Sequence, residues 1–128
     1  MLTPRLYTVE GARRTLPLVR RIVADIVRTA GEMNRLESPA DDEALEQLQT
    51  RLRKYAAELD ELGVELKDPV SGLIDFYWKR GDETVYLCWK HGEEELAHWH
   101  DLQSGFAGRQ PIGAVDLSLD LQTPPERR

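Results

Sequence analysis

The apolar positions in the first half of the chain recur at helical spacing. Leu16, Val19, Val23, Ile26, Ala30 and Met33 advance by three and four residues in turn, which lays them along one face of an α-helix. Ile22 and Val27 widen that face. Thr8 offers a side-chain oxygen to the first free amides, and Glu10 places a negative charge in the first turn. The helix is therefore predicted to start at Thr8 and to run to about Leu36. Pro17 has no amide hydrogen, so it either kinks this helix or marks its true first turn. Ser38-Pro39-Ala40-Asp41-Asp42 predicts a turn and a new cap. Leu45, Leu48, Leu52, Tyr55, Leu59 and Leu62 repeat the same spacing, and Gly63 is a natural stop. The short connection predicts a long antiparallel helical hairpin over residues 8–63. Such a pair buries only the seam between its helices, and its remaining apolar surface needs a sheet or a second copy. A homodimer through the hairpin is expected on that ground.

The second half alternates with a period of two. Leu73 to Trp78 and Thr84 to Trp89 are β-rich runs, and Gly81-Asp82 between them suits a two-residue hairpin turn. That turn pairs Arg80 with Glu83, Tyr77 with Tyr86 and Asp75 with Cys88. Phe76, Leu87, Ile74, Trp89, Trp78 and Val85 share the other, wholly apolar face, which should meet the helices. Glu95 to His100 reads as a third strand, Gly105 to Pro111 as a loop, and Val115 to Leu121 as a fourth strand. The expected fold is α+β: the hairpin, then a three- to four-stranded antiparallel β meander over residues 64–122. Residues 1–122 are expected to be a single domain, with a disordered tail at 123–128.

Composition narrows the class. The 128 residues suit one domain, and the 41% of hydrophobic residues are too dispersed for a membrane-spanning run. The first ten residues lack the apolar segment of a secretion signal. The single cysteine excludes a disulfide framework within the chain and suits a reducing cytoplasm. A net charge of −6 argues against a nucleic-acid partner. Arg14, Arg21, Arg28 and Arg35 do recur every seven residues, but no aromatics interleave with them, so they read as a solvated helix face. Trp78, Trp89 and Trp99 fall one to a strand and read as core or interface residues.

The polar residues inside the strands carry the candidate chemistry. Carboxylate, thiolate and imidazole are the ligand types of a divalent transition metal such as zinc or iron. Asp75, Cys88, Glu95 and His100 can be brought together by three adjacent strands. A turn at His91-Gly92 sets Glu95 opposite Cys88. A register one residue longer instead puts Leu96, His98 and His100 on the Cys88 face, and the sequence does not choose between them. Three protein ligands would leave room for a water that the metal activates. His98 and Asp101 are substitutes or supporting groups. Arg109, in a Gly-bounded loop, either holds an anion or pairs with an internal carboxylate such as Asp75 or Asp101. Cys88, His100 and Asp101 also name a nucleophile, a base and an orienter, but His100 and Asp101 point to opposite faces of a regular strand.

Several strings resemble a known family. They are Tyr7-Thr8-Val9-Glu10, Leu16-Pro17-Leu18-Val19, Leu62 through Pro69, Gly72-Leu73-Ile74-Asp75-Phe76, Leu87-Cys88-Trp89-Lys90, Trp99-His100 and Gly105-Phe106-Ala107-Gly108-Arg109. Together they resemble the bacterial family known as domain of unknown function 2203. The resemblance implies a helical hairpin followed by a small β region and brings no activity, catalytic residue, cofactor or small-molecule ligand. Its pattern includes the positions of Asp75, Cys88, Glu95, His100 and Arg109, but not His91 or His98. Gly11 departs from the acidic residue usual there, and the chain from Ala114 lies outside the pattern. The residues thus support a small cytoplasmic protein with a mixed-ligand metal site, enzymatic activity being left open. The alternative is a non-catalytic interaction or oligomerisation module acting through the hairpin.

Overall fold

A computed structural model describes residues 5–36 and 42–121 of the chain. The hydroxyl of Thr8 accepts the Gly11 amide at 2.9 Å, and helix α1 follows over Val9–Asn34. Pro17 lies inside α1 and does not mark its first turn. The predicted stripe is buried from Leu16 through Val19, Val23 and Ile26 to Ala30, Met33 is half-buried, and Val9 and Ala12 extend the buried face to the start of the helix. Helix α2, Asp42–Glu61, packs on α1. Glu32 of α1 lies 4.0 Å from Arg51 of α2. Tyr7, just before α1, donates to the Leu62 carbonyl just after α2 at 2.5 Å. Gly63 then turns the chain at φ 77°, a left-handed conformation that favours glycine. The turn expected at Ser38 to Asp41 and the tail expected from Thr123 lie outside the described residues.

Among the described residues six strands form one mixed sheet: β1 (Leu6–Tyr7), β2 (Val64–Asp68), β3 (Leu73–Arg80), β4 (Glu83–Lys90), β5 (His98–His100) and β6 (Gln110–Pro111). The antiparallel meander is present as β3, β4 and β5. The β3–β4 register is the one that the Gly81-Asp82 turn implies, with Asp75 opposite Cys88 and Tyr77 opposite Tyr86. The sheet is not purely antiparallel, because β1 runs parallel to β3. On the edge of β3 away from β4, β1 pairs with Tyr77 and Trp78 while β2 pairs with Leu73 to Phe76. The expected loop at Gly105 to Pro111 contains a short 3₁₀ turn at Phe106–Gly108 and then β6.

The expected fourth strand is instead helix α3, Ala114–Leu121. Two carboxylates decide this. Asp116 accepts from Arg80 Nε at 2.6 Å and from the Gly113 amide at 2.7 Å. Asp120 accepts from the Val9 amide at 2.7 Å and the Glu10 amide at 3.2 Å, at the open start of α1. A helix sets residues four apart within about 6 Å, whereas a strand would spread them over about 13 Å. The alternating apolar residues do not form a buried row: Val115 is 69% and Leu117 40% exposed.

Strand alternation gives the sheet two unlike faces. Val64, Ile74, Phe76, Trp78, Val85, Leu87, Trp89 and Trp99 point to one side and form a buried core with α1 and with Leu59 of α2. Gly72 marks the closeness of that packing, since a Cβ there would lie 2.8 Å from Val27 and 2.9 Å from Val23. Glu65, Lys67, Asp75, Tyr77, Tyr86, Cys88, His98 and His100 occupy the other side.

Candidate metal centre

Adjacent strands supply three unlike donors to the polar face. Asp75 comes from the middle of β3, Cys88 from the facing position of β4, and His100 from the end of β5 opposite Tyr86. Asp75 Oδ1 lies 3.1 Å from His100 Nε2. One donor atom from each of the three falls within 4.8 Å of the other two. All three side chains are buried: Asp75 is 1%, Cys88 0% and His100 3% exposed.

The tautomer of His100 follows from its neighbours. Nδ1 lies 2.7 Å from the Asp101 carbonyl oxygen, which can only accept, so Nδ1 carries the hydrogen. In the neutral ring Nε2 then presents a lone pair on the side of Asp75, 3.1 Å away. A carbonyl fixing the remote nitrogen is the arrangement that orients metal-ligating histidines. Without an ion, burial raises the pKa of Asp75 against the opposing pull of His100. Burial and the Asp75 charge likewise push the Cys88 thiol far up. A cation binding there would have to displace the Cys88 proton, and Cys88 is not an activated nucleophile.

A second network borders the cluster. Glu65 and Lys67 enter from β2, Tyr77 from β3 and Tyr86 from β4. Lys67 Nζ lies 2.8 Å from Glu65 Oε1, 3.3 Å from the Tyr86 hydroxyl and 4.0 Å from Asp75 Oδ2. Tyr77 and Tyr86 both donate to Glu65 Oε2, Tyr86 at 3.0 Å. Burial works to raise the pKa of Glu65, but the donors Lys67, Tyr77 and Tyr86 outweigh it and hold the carboxylate ionised. The hydrogen bond to Glu65 in turn raises the pKa of Tyr77. The Tyr86 ring also packs on the His100 ring, with centroids 5.3 Å apart.

The remaining predicted site residues fall elsewhere. Glu95 does not join the cluster. It is exposed in the irregular segment between β4 and β5, beside Arg13 and Arg20 of α1. The assumed two-residue turn at His91-Gly92 is the cause of that expectation, because the actual connection runs from His91 to Ala97. The alternative parity is the observed one, with His98 and His100 on the Cys88 face, although Cys88 pairs with His98 and not with Leu96. The His98 Nδ1 accepts from Arg109. Arg109 pairs with Glu93 at 2.7 Å, not with Asp75 or Asp101. Its Nε is buried without a hydrogen-bond partner among the described residues, and its guanidinium lies 4.6 Å from the Phe106 ring centroid. The Asp101 carboxylate binds the Gln103 and Ser104 amides at 2.9 and 2.7 Å and does not orient His100; its main-chain carbonyl does that. Glu65, Lys67 and Glu93 were not anticipated as neighbours of the site. The signal for the first two was present in the alternation Val64-Glu65-Leu66-Lys67.

Fold and site together define a small α+β protein with helices against one face of a mixed sheet and a buried Asp-Cys-His cluster on the other. The chain belongs to the family described as an uncharacterized conserved protein, DUF2203, which matches it over residues 5–112. Every residue of the cluster lies within that span, and α3 lies beyond it. No curated protein and no solved structure matches the chain. No helix among the described residues is long and apolar enough to cross a membrane.

Proposed function

We propose that this protein binds one divalent transition metal ion, zinc or iron, through Asp75, Cys88 and His100. The observation that carries this reading is the convergence of a carboxylate, a sulfur and an imidazole nitrogen within 4.8 Å in a buried setting. Around a tetrahedral ion such donors stand roughly 3.3–3.8 Å apart, so a modest contraction closes the shell. Charge favours it as well. One carboxylate and one thiolate neutralise a divalent ion, with His100 neutral, and Lys67 is already balanced by Glu65. The fourth position is left for a water or a small donor, while burial of all three ligands keeps larger substrates away from the ion. A thiol ligand suits a reducing compartment, so the cytoplasm is the proposed working location. Elemental analysis of protein purified without an affinity tag tests the proposal. Near-stoichiometric zinc or iron is expected, with its loss in Cys88→Ala and His100→Ala. Metal-free protein that takes up no zinc or iron on addition would refute it.

A second reading rests on α2. Leu59 is its one fully buried residue among those described, while Leu45, Leu48, Leu52 and Tyr55 are only half-buried. An incompletely covered helical pair is the surface on which a second copy would dock, giving a homodimer through the helices. Sedimentation equilibrium decides this, and a monomer at every concentration would remove it.

A further inference from the structure

The ammonium of Lys67 is a partly exposed cation beside the buried cluster. Its side chain is 34% exposed, whereas that of the neighbouring Asp75 is 2% exposed. Lys67 Nζ sits 4.0 Å from Asp75 Oδ2 and 4.4 Å from the Tyr86 ring centroid. A cation of the protein's own thus already leans on one of the three ligands. The nearer partner of the same ammonium is Glu65, at 2.8 Å, and Glu65 is itself held by the hydroxyls of Tyr77 and Tyr86.

Resting on the metal-binding reading, we infer that Lys67 is an intramolecular competitor of the metal, a displaceable cation that gates loading of the Asp75-Cys88-His100 site. Two positive charges that share one carboxylate repel each other strongly in a partly buried setting. An incoming divalent ion therefore pushes Lys67 further from Asp75, while Glu65, its nearer partner, retains it. Glu65 keeps that displacement cheap, because the ammonium retains its shorter ion pair as it withdraws from Asp75. Lys67 then opposes metal binding and Glu65 assists it, although neither is a ligand. A merely structural role for this network would give the same sign for both residues: loosening it from either end would weaken the site.

Cobalt(II) is the probe, titrated into the metal-free full chain and followed by its thiolate charge-transfer absorption. Lys67→Met is expected to bind cobalt about tenfold more tightly than the parent and to load faster, since a like charge has gone. Glu65→Gln is expected to bind about threefold more weakly, because Lys67 is left to lean on Asp75 alone. The double variant is expected to match Lys67→Met. Should Lys67→Met fail to fold, Lys67→Gln keeps a polar stem without the charge and is expected to tighten binding likewise. Equal affinity in all variants, or weaker binding in both single variants, overturns the gate while the metal site stands. If no variant develops the cobalt–thiolate absorption, the metal reading fails and the gate with it.

Discussion

The two faces of the sheet come from the same strands, residue by residue, yet are held by opposite means. On the helical side Ile74, Phe76, Trp78, Val85, Leu87 and Trp89 are buried against α1 and bring one buried polar atom without a hydrogen-bond partner among the described residues, Trp78 Nε1. On the other side Asp75, Cys88 and His100 are equally buried, but Asp75 and His100 meet at 3.1 Å and the Cys88 sulfur lies within 4.8 Å of both. The apolar face contributes stability that depends mainly on area and shape. Burial of the polar face costs free energy that only its hydrogen bonds, its protons or an ion can offset. A chain selected for stability alone has no need of a buried carboxylate, thiol and imidazole in one cluster. That contrast is why the polar face, and not the larger core, is where function is sought.

The contrast is sharpest in Phe76→Ala, which removes a fully buried ring that packs edge-on against Tyr7 at 5.0 Å. A loss of about 3–5 kcal/mol is expected in urea denaturation, whether or not metal is present. His100→Ala strikes the other face. It leaves Asp75 without its imidazole partner and should cost about 1–3 kcal/mol in the metal-free protein, with loss of metal binding. Equal losses for the two variants would mean that the faces do not differ as argued. A third test lies away from both. Asp120→Ala leaves the Val9 and Glu10 amides without their shared acceptor and should cost about 1 kcal/mol, with faster hydrogen exchange in the first turn of α1 and unchanged metal binding.

The smallest expected effect is on pH. Burial raises the pKa of Asp75 in the folded chain, so the metal-free fold binds a proton there that the unfolded chain has released. The stability from that proton is complete below the ordinary aspartate pKa and is lost as pH rises through the folded value. Denaturation midpoints of the metal-free parent minus those of Asp75→Asn should therefore fall with rising pH across that interval. Saturating zinc should reverse the slope, because the ion displaces the proton. A flat difference would show that Asp75 titrates normally.

Much of this was legible in the chain. The 3–4 spacing from Leu16 to Ala30 and the Gly81-Asp82 turn carry strong local signals, and both α1 and the β3–β4 register follow them residue for residue. Asp75 and Cys88 were neighbours for the same reason. The third ligand is harder, because β5 is reached through an irregular connection whose length no turn rule sets, and a tight turn there would bring Glu95 rather than His98 opposite Cys88. Glu65 and Lys67 were obscured because β2 is five residues long and interrupted by a register shift near Asp68. Helix α3 was hidden by an accident of pattern. Its leucines alternate like a strand, and only the long-range partners of Asp116 and Asp120 reveal the helical spacing.

The account stands most directly on the identity of the atoms around a bound ion. X-ray absorption at the zinc edge of the loaded protein measures them. One sulfur at about 2.3 Å with nitrogen and oxygen neighbours at about 2.0 Å is the expected shell, and the sulfur should vanish in Cys88→Ser. A shell of nitrogen and oxygen alone in the parent protein would contradict it.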